Sequence, residues 1–100
     1  MKKKINVEVG RLCKSLKGHD AGSIYMIYKT EGEFVWLVDG DYKKIDKPKK
    51  KRTKHISLID QVLKNIAAKI TEQKVVYSEE IYSAIKKFKE ETGNQRRENG

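Results

Sequence analysis

Residues 43–54 carry eight Lys or Arg side chains and a single acid, Asp46. Cations at this density lower the free energy of a neighbouring polyanion, because each neutralised phosphate releases condensed counterions. Strand-like patterning precedes the run and helical patterning follows it, so folded elements hold it at both ends. The sequence predicts a phosphate-binding loop, the alternative being a solvated loop that only aids solubility. Its cations are Lys43, Lys44, Lys47, Lys49, Lys50, Lys51, Arg52 and Lys54.

Residues suited to catalysis or metal binding are few and scattered. Cys13 is the single cysteine, which rules out an internal disulfide and a multi-cysteine metal cluster. Its apolar setting predicts buried packing. His19 and His55 are isolated in sequence, and no third group stands at a spacing that would orient a nucleophile and its base. Asp39 and Asp41 flank a glycine, a pattern typical of a turn. We therefore predict neither an enzyme nor a metal site.

The charge is distributed unevenly along the 100 residues. Of the formal net charge of +9, residues 1–56 carry +8. A polyanion site is therefore expected in the first half of the chain. No apolar run approaches the ~20 residues that a membrane span needs. Residues 1–10 are basic with no apolar stretch after them, which does not fit a signal peptide. These patterns predict a soluble, cytoplasmic protein that does not contact membranes.

Short apolar runs separated by turn residues fill the first half. Strands are predicted at residues 7–15, with an irregularity near Gly10, and at 23–30, 34–38, 42–45 and 53–56. Glycine-containing turns are predicted at residues 18–22, 31–33 and 39–41. About five short strands in fifty residues favour a small, strongly bent barrel of the SH3-like type, spanning residues 5–56.

The apolar spacing becomes helical after Ser57, a plausible N-cap. It predicts amphipathic helices over residues 58–70 and 81–88, in a two-helix extension that spans residues 57–92. Gly93 is a natural C-terminal stop, and residues 93–100 are expected to be frayed. The helices pack on each other or on the barrel. Their apolar stripes are also candidates for a protein-docking surface.

One stretch has a recognisable pattern, Ser15-x-x-Gly18-x-Asp20-x-Gly22-x-x-Tyr25-x-Ile27. It resembles the KOW motif, a strand-loop-strand unit of ribosomal proteins and bacterial transcription elongation factors. Three later segments, in this order along the chain, make the resemblance to one family more specific: residues 38–41, 47–51 and 54–56. Together they are similar to the small bacterial KOW-domain RNA-binding proteins related to a KOW-containing large-subunit ribosomal protein of archaea and eukaryotes. The resemblance covers residues 7–56.

The resemblance implies an SH3-like barrel, association with RNA or the ribosome, no catalysis and no cofactor. Gly22 matches the family's loop glycine and Asp20 its usual predecessor, whereas Tyr25 stands where the wider motif often has a second glycine. The glycine loop is predicted either to approach an RNA backbone or simply to turn with positive φ. Lys14, Lys17, Gly18 and His19 would support RNA binding there, and His55 is expected to meet a phosphate or cap a strand.

Most aromatic side chains are expected in the barrel core. Strand alternation places Phe34, Trp36 and Val38 on one face, and Val35 and Leu37 on the other. If Val35 and Leu37 are core, Trp36 faces outward and is a candidate for stacking on bases.

The sequence thus predicts binding of structured RNA, ribosomal RNA in particular, through the basic loop and the glycine loop. The competing hypothesis is a protein-interaction module that docks on a ribosomal or transcription partner. In that case the lysines would only steer the encounter.

Overall fold

A computed structural model of the protein describes residues 5–97, with side chains described for residues 5–92. Five strands precede two helices: β1 (Arg11–Ser15), β2 (Ile24–Glu31), β3 (Phe34–Val38), β4 (Lys49–Arg52), β5 (Ile56–Val62), α1 (Lys64–Thr71) and α2 (Ser78–Arg97). A 3-10 turn, Thr53–His55, joins β4 to β5. The strands form one antiparallel sheet in the order β4-β3-β2-β1-β5. The predicted class, mainly β with added helices, is confirmed at this level.

Both faces of the sheet contribute side chains to a core, although Phe34 and Trp36 of β3 stay partly exposed. We call the two faces the inner face and the helix face. The inner face holds a core of Cys13, Tyr25, Ile27, Val35, Leu37 and Ile56. On the helix face, three strand residues pack with three helix residues, namely Leu12, Met26, Val38, Ile66, Ile81 and Ile85. The apolar stripes of both helices are therefore part of the core shared with the sheet.

The helix predicted over residues 58–70 begins only at Lys64, because residues 56–62 form β5. Ser57 is consequently a strand residue and caps no helix. β5 pairs with the otherwise open edge of β1, where Leu58 lies opposite Cys13. Leu58 packs towards the inner face and Ile59 towards the helix face. A short apolar run in the sequence fits an amphipathic helix and also a strand that has apolar side chains on both faces. The edge of β1 needs a pairing partner, and this favours the strand.

The fourth strand also differs from the prediction. Residues 42–45 belong to a loop, and β4 forms from Lys49–Arg52 inside the basic run. Residues 43–54 are therefore part loop, part edge strand and part 3-10 turn. Lysines have little intrinsic preference for strands, but pairing with β3 gives hydrogen-bond partners to the backbone N–H and C=O groups of both segments. Pro48 lies just before the strand, where its missing N–H removes no ladder bond.

Two glycines allow close contacts between the sheet and the helices. Gly10 (φ +92) lies against α1, and a Cβ atom there would come within 2.6 Å of the Ala67 Cβ. The pairing of β1 is irregular just after it, as the sequence predicted. Gly40 (φ +79) lies against the first turn of α2, where a Cβ would come within 2.6 Å of the Tyr82 N. Because Gly10 and Gly40 have no side chains, both helices can pack closely against the sheet.

The second helix is longer than predicted, since α2 passes through Gly93 to Arg97. The expected stop at Gly93 is therefore wrong. Of the tail predicted to be frayed, residues 93–97 are helical, and residues 98–100 lie outside the described residues. The helix predicted over residues 81–88 lies within α2, which begins at Ser78.

Candidate functional site

The glycine loop between β1 and β2 is organised around the Asp20 carboxylate. Ser15 Oγ donates to its Oδ1 at 2.9 Å, and Tyr25 Oη donates to its Oδ2 at 2.8 Å. Two lysines of β4 complete the set, with Lys49 Nζ 2.9 Å from Oδ2 and Lys51 Nζ 3.1 Å from Oδ1. We call these five residues the Asp20 hub. It ties the glycine loop to the edge strand.

The electrostatics of the hub follow from its burial. The Asp20 side chain is 15% exposed and that of Lys51 only 9%. Burial alone would raise the pKa of Asp20, but the hydrogen bonds from Lys49, Tyr25, Lys51 and Ser15 outweigh it and hold that pKa well below its usual range. Burial and the bond to Asp20 raise the pKa of Tyr25 above its usual range. At neutral pH the hub thus contains a carboxylate, two ammonium groups and a neutral phenol.

The glycine loop has a backbone that only glycine adopts easily. Gly18 and Gly22 have φ of +93° and +94°. The Gly22 N–H donates to the Ser15 carbonyl at 2.7 Å, and Lys51 Nζ donates to the Lys17 carbonyl at 2.8 Å. Nothing lies within 4 Å of the position of a Cβ on Gly22, so its surface is open. Positive φ accounts for this glycine, and the open side leaves room for a ligand.

Two basic stretches that are distant in sequence meet beside this loop. The Leu16 N–H donates to the His55 carbonyl at 2.9 Å, which joins the glycine loop to the 3-10 turn. Loss of hydration and then the nearby positive charges lower the pKa of His55; these charges belong to Lys17, Lys54, Lys51 and Arg52. We call Lys17, Lys54 and His55 the cationic corner. The structure therefore brings together predicted binding residues from the glycine loop and the basic run.

Other predicted residues lie elsewhere. Lys43, Lys44 and Lys47 belong to the loop before β4, at the end of the strand opposite Lys54; its Lys43 carbonyl accepts bonds from the N–H groups of residues 39 and 40. Lys14 is exposed on β1 and lines a groove with Lys89 of α2. His19 is exposed near the tip of the glycine loop. The predicted set is thus spread over several strands and loops rather than gathered at one point.

Lysines of β4 alternate between two environments because strand side chains alternate between faces. Lys49 and Lys51 point to the Asp20 hub, whereas Lys50 lies over the Phe34 ring at 4.4 Å and near the Trp36 ring at 5.5 Å. The basic run therefore has two kinds of lysine. One kind holds the loop in place, and the other stays at the surface.

The sequence made the orientation of Trp36 depend on whether Val35 and Leu37 are core, and the structure answers this. Val35 and Leu37 are fully buried, and Trp36 is partly exposed on the helix face. Lys29, across the β2–β3 hairpin, lies 4.7 Å from the Trp36 ring centre. Sequence reasoning missed Lys29 and the central role of Asp20. Lys29 could have been found by counting back across the turn at residues 31–33, since antiparallel pairing places it opposite Trp36.

The residues considered for chemistry have structural environments. Cys13 is fully buried, and burial raises the pKa of its thiol to about 12, although Lys51 acts in the opposite sense. Asp39 Oδ1 accepts bonds from the N–H groups of Asp41 and Lys43, which stabilises the loop after β3. Within residues 5–97, no three His, Cys, Asp or Glu side chains are grouped so that they could hold a metal ion.

Comparison with known proteins gives no assignment: no family model matches the chain, and the search of curated proteins finds no match. Neither helix in the described part of the chain is long and apolar enough to cross a membrane.

Proposed function

We propose that this protein binds structured RNA, ribosomal RNA in particular, and that its sheet is an SH3-like barrel carrying a KOW motif. The strand order and the 3-10 turn between the edge strands β4 and β5 support the barrel. The resemblance of residues 15–27 to the KOW motif favours RNA over DNA, a choice that charge cannot make.

The observation that carries the proposal is the cationic corner. Lys17 comes from the glycine loop, and Lys54 and His55 from the end of the basic run, yet folding joins the two segments through the Leu16 N–H and the His55 carbonyl, and the charges of both lysines act on His55. Bringing like charges together costs free energy, and a bound polyanion would repay that cost. The open surface of Gly22 lies in the same loop.

The Asp20 hub has a supporting role in this proposal. Lys49 and Lys51 are engaged with Asp20, so they position the loop rather than contact phosphate. The cations that remain at the surface include Lys47, Lys50 and Arg52, besides the cationic corner. If about five of them neutralise phosphates, the logarithm of the affinity falls with the logarithm of the salt concentration at a slope of roughly −3.5 to −4.5.

The competing role, protein docking through the helices, has less support. Ile66, Ile81 and Ile85 are buried against the sheet, so the apolar stripes considered for docking are already occupied.

Two matched double variants test the proposal. Lys17→Gln with Lys54→Gln removes two charges from the cationic corner. Lys86→Gln with Lys87→Gln removes two exposed charges from α2. Affinity for a folded ribosomal RNA fragment is measured between 50 and 300 mM salt. We expect the corner variant to bind at least tenfold more weakly, with a slope shallower by about 1.5, and the α2 variant to bind almost normally.

Equal losses in both variants would mean that only net charge matters and would refute the assigned site. A slope near zero in the unmodified protein would refute phosphate binding by these cations, and the absence of measurable binding would refute RNA binding itself. Ultraviolet crosslinking in cells, followed by sequencing of the RNA recovered on the protein, then identifies the RNA target. We expect the sequencing reads to be concentrated at one place in large-subunit ribosomal RNA. Reads scattered in proportion to RNA abundance would contradict a ribosomal site.

A further inference from the structure

The helix face of the sheet continues beyond the part that α2 covers. Met26 and Val38 lie under the helices and are fully buried, but the rest of β3 on this face is partly exposed. There Phe34 and Trp36 alternate with the buried Val35. The two rings are neighbours on one face of the strand, and contiguous apolar surface of this kind is more typical of interaction sites than single scattered side chains are.

Three cations surround these rings. Lys29 lies 4.7 Å from the Trp36 ring centre, and Lys50 lies 5.5 Å from it. The Phe34 ring has Lys50 at 4.4 Å and Arg52 at 5.4 Å. Cross-strand pairing fixes this arrangement, since Trp36 stands between Lys29 and Lys50, and Phe34 stands opposite Arg52. We call these five residues the aromatic ladder.

We propose that the aromatic ladder binds unpaired nucleotides of an RNA strand, with bases stacked on Trp36 and Phe34. This inference rests on the proposed function and names the part of the RNA that the sheet recognises. Lys29, Lys50 and Arg52 would exchange their contacts with the rings for contacts with the phosphates on either side. Aromatic planes beside cations match the two parts of a nucleotide, a flat base and a charged phosphate.

The spacing of the rings favours a single strand. Side chains two residues apart on one face of a strand are separated by roughly 7 Å. In an RNA duplex the faces of each base are covered by its neighbours in the stack, so aromatic side chains stack on the bases of unpaired segments instead. An extended strand has separated bases that can reach both rings. Lys50 and Arg52 also lie on the edge strand β4, where a nucleic-acid backbone has room to pass.

An acidic protein segment fits the aromatic ladder less well than an RNA strand does. Such a segment would pair with the three cations, but carboxylates gain nothing from two aromatic planes between them. It is an outcome that the experiment below distinguishes.

The first experiment uses the unmodified protein, because Trp36 is its single tryptophan. Three ligands are compared: twelve unpaired uridines, a twelve-residue ribose-phosphate strand without bases, and a twelve-base-pair RNA duplex. We expect the uridine strand to quench Trp36 fluorescence at saturation and to bind about tenfold more tightly than the abasic strand. The duplex should bind without quenching.

A pair of variants supports the fluorescence result. Phe34→Leu keeps the reporter and removes one ring, and we expect the preference for uridines over the abasic strand to fall several-fold. Tyr42→Leu is the matched control, since Tyr42 is 86% exposed on the loop between β3 and β4. It should leave that preference unchanged. Circular dichroism checks that both variants keep the native fold.

The outcomes separate this inference from the proposed function. If the uridine and abasic strands bind equally and Trp36 emission does not change at saturation, the ladder is not a base-binding surface. Duplex binding that still depends on Lys17 and Lys54 would in that case leave the proposed function standing. If none of the three RNAs nor the ribosomal fragment binds, both proposals are wrong. Quenching by an acidic peptide but not by uridines would also overturn the inference.

Discussion

The Asp20 hub makes a strong prediction about stability. Asp20→Asn keeps the shape of the side chain but removes its charge and offers one carbonyl oxygen where the carboxylate has two. Four donors would then share that oxygen or meet the new amide N–H groups. Lys51, whose side chain is 9% exposed, would lose its carboxylate partner and keep only its bonds to the Ser15 hydroxyl and the Lys17 carbonyl. Removing one member of a buried pair costs about 3–5 kcal/mol, because the other charge stays buried and uncompensated.

The expected loss is at the lower end of that range. Lys49 is 30% exposed and can regain hydration when Asp20 is neutralised, so only Lys51 remains strongly desolvated. We therefore expect the free energy of unfolding to fall by about 3 kcal/mol. Urea unfolding followed by circular dichroism measures it. With a denaturant dependence of roughly 1.5 kcal/mol per molar, typical of a small protein, the midpoint falls by about 2 M.

The pH dependence provides a second, independent check. Because the pKa of Asp20 is lower in the folded protein than in the unfolded chain, the stabilisation is complete above the unfolded pKa of about 3.9. It is lost as the pH falls below that value, since the unfolded chain then takes up a proton that the folded state does not. The difference between Asp20→Asn and the unmodified protein should thus be constant from pH 7 to pH 5 and shrink towards pH 3.

Asp41→Asn is the matched control. Asp41 is exposed, and its removal should change stability by less than about 0.5 kcal/mol. A loss below 1 kcal/mol for Asp20→Asn, or a loss that is the same at pH 3 and pH 7, would show that the hub does not stabilise the loop electrostatically.

Three further predictions concern single residues. Gly22→Ala should cost about 1 kcal/mol for its positive φ alone, whereas Gly40→Ala should cost at least 2 kcal/mol more, because its Cβ would collide with α2; equal costs in urea unfolding would contradict this contact. The Cys13 thiol should react with a thiol reagent at pH 8 only as fast as the protein unfolds, and rapid labelling of the native protein would disprove its burial. RNA affinity should rise as the pH falls from 7.5 to 5.5, because a bound phosphate favours the protonated His55 that its cationic neighbours disfavour. His55→Gln should flatten this dependence; an unchanged slope in His55→Gln would remove His55 from the site.

The β2–β3 hairpin shows what sequence reasoning captures well. Both strands are rich in β-branched and aromatic residues, and a glycine turn separates them, so local preference and tertiary structure agree. Alternation made the outward orientation of Trp36 depend on whether Val35 and Leu37 are core, and their burial in the structure decides it. Local patterns were sufficient because the two strands are neighbours both in sequence and in the sheet.

The errors arose where a distant partner decides the structure. Residues 56–62 form a strand because β1 has an open edge, and β1 lies more than forty positions earlier in the chain. β4 forms in a lysine run that no strand preference would select, because β3 needs a partner. The Asp20 hub escaped sequence reasoning for the same reason. Nothing near Asp20 in the sequence indicates that Lys49 and Lys51 will lie beside it.

The composition of β4 has a consequence for how its lysines acquire their roles. All four of its side chains are cationic, so sliding the strand by one position would present nearly the same chemistry to both faces. Its own side chains therefore carry little information about alignment. The alignment comes from its ends: Thr53 N–H donates to the Glu33 carbonyl at 2.8 Å, and the 3-10 turn leads directly to the buried Ile56. Lys51 pairs with Asp20 because of its distance along the chain from Ile56. One residue inserted between Lys51 and Ile56 would place a neighbouring cation of β4, instead of Lys51, beside Asp20, and the ion pair would be kept.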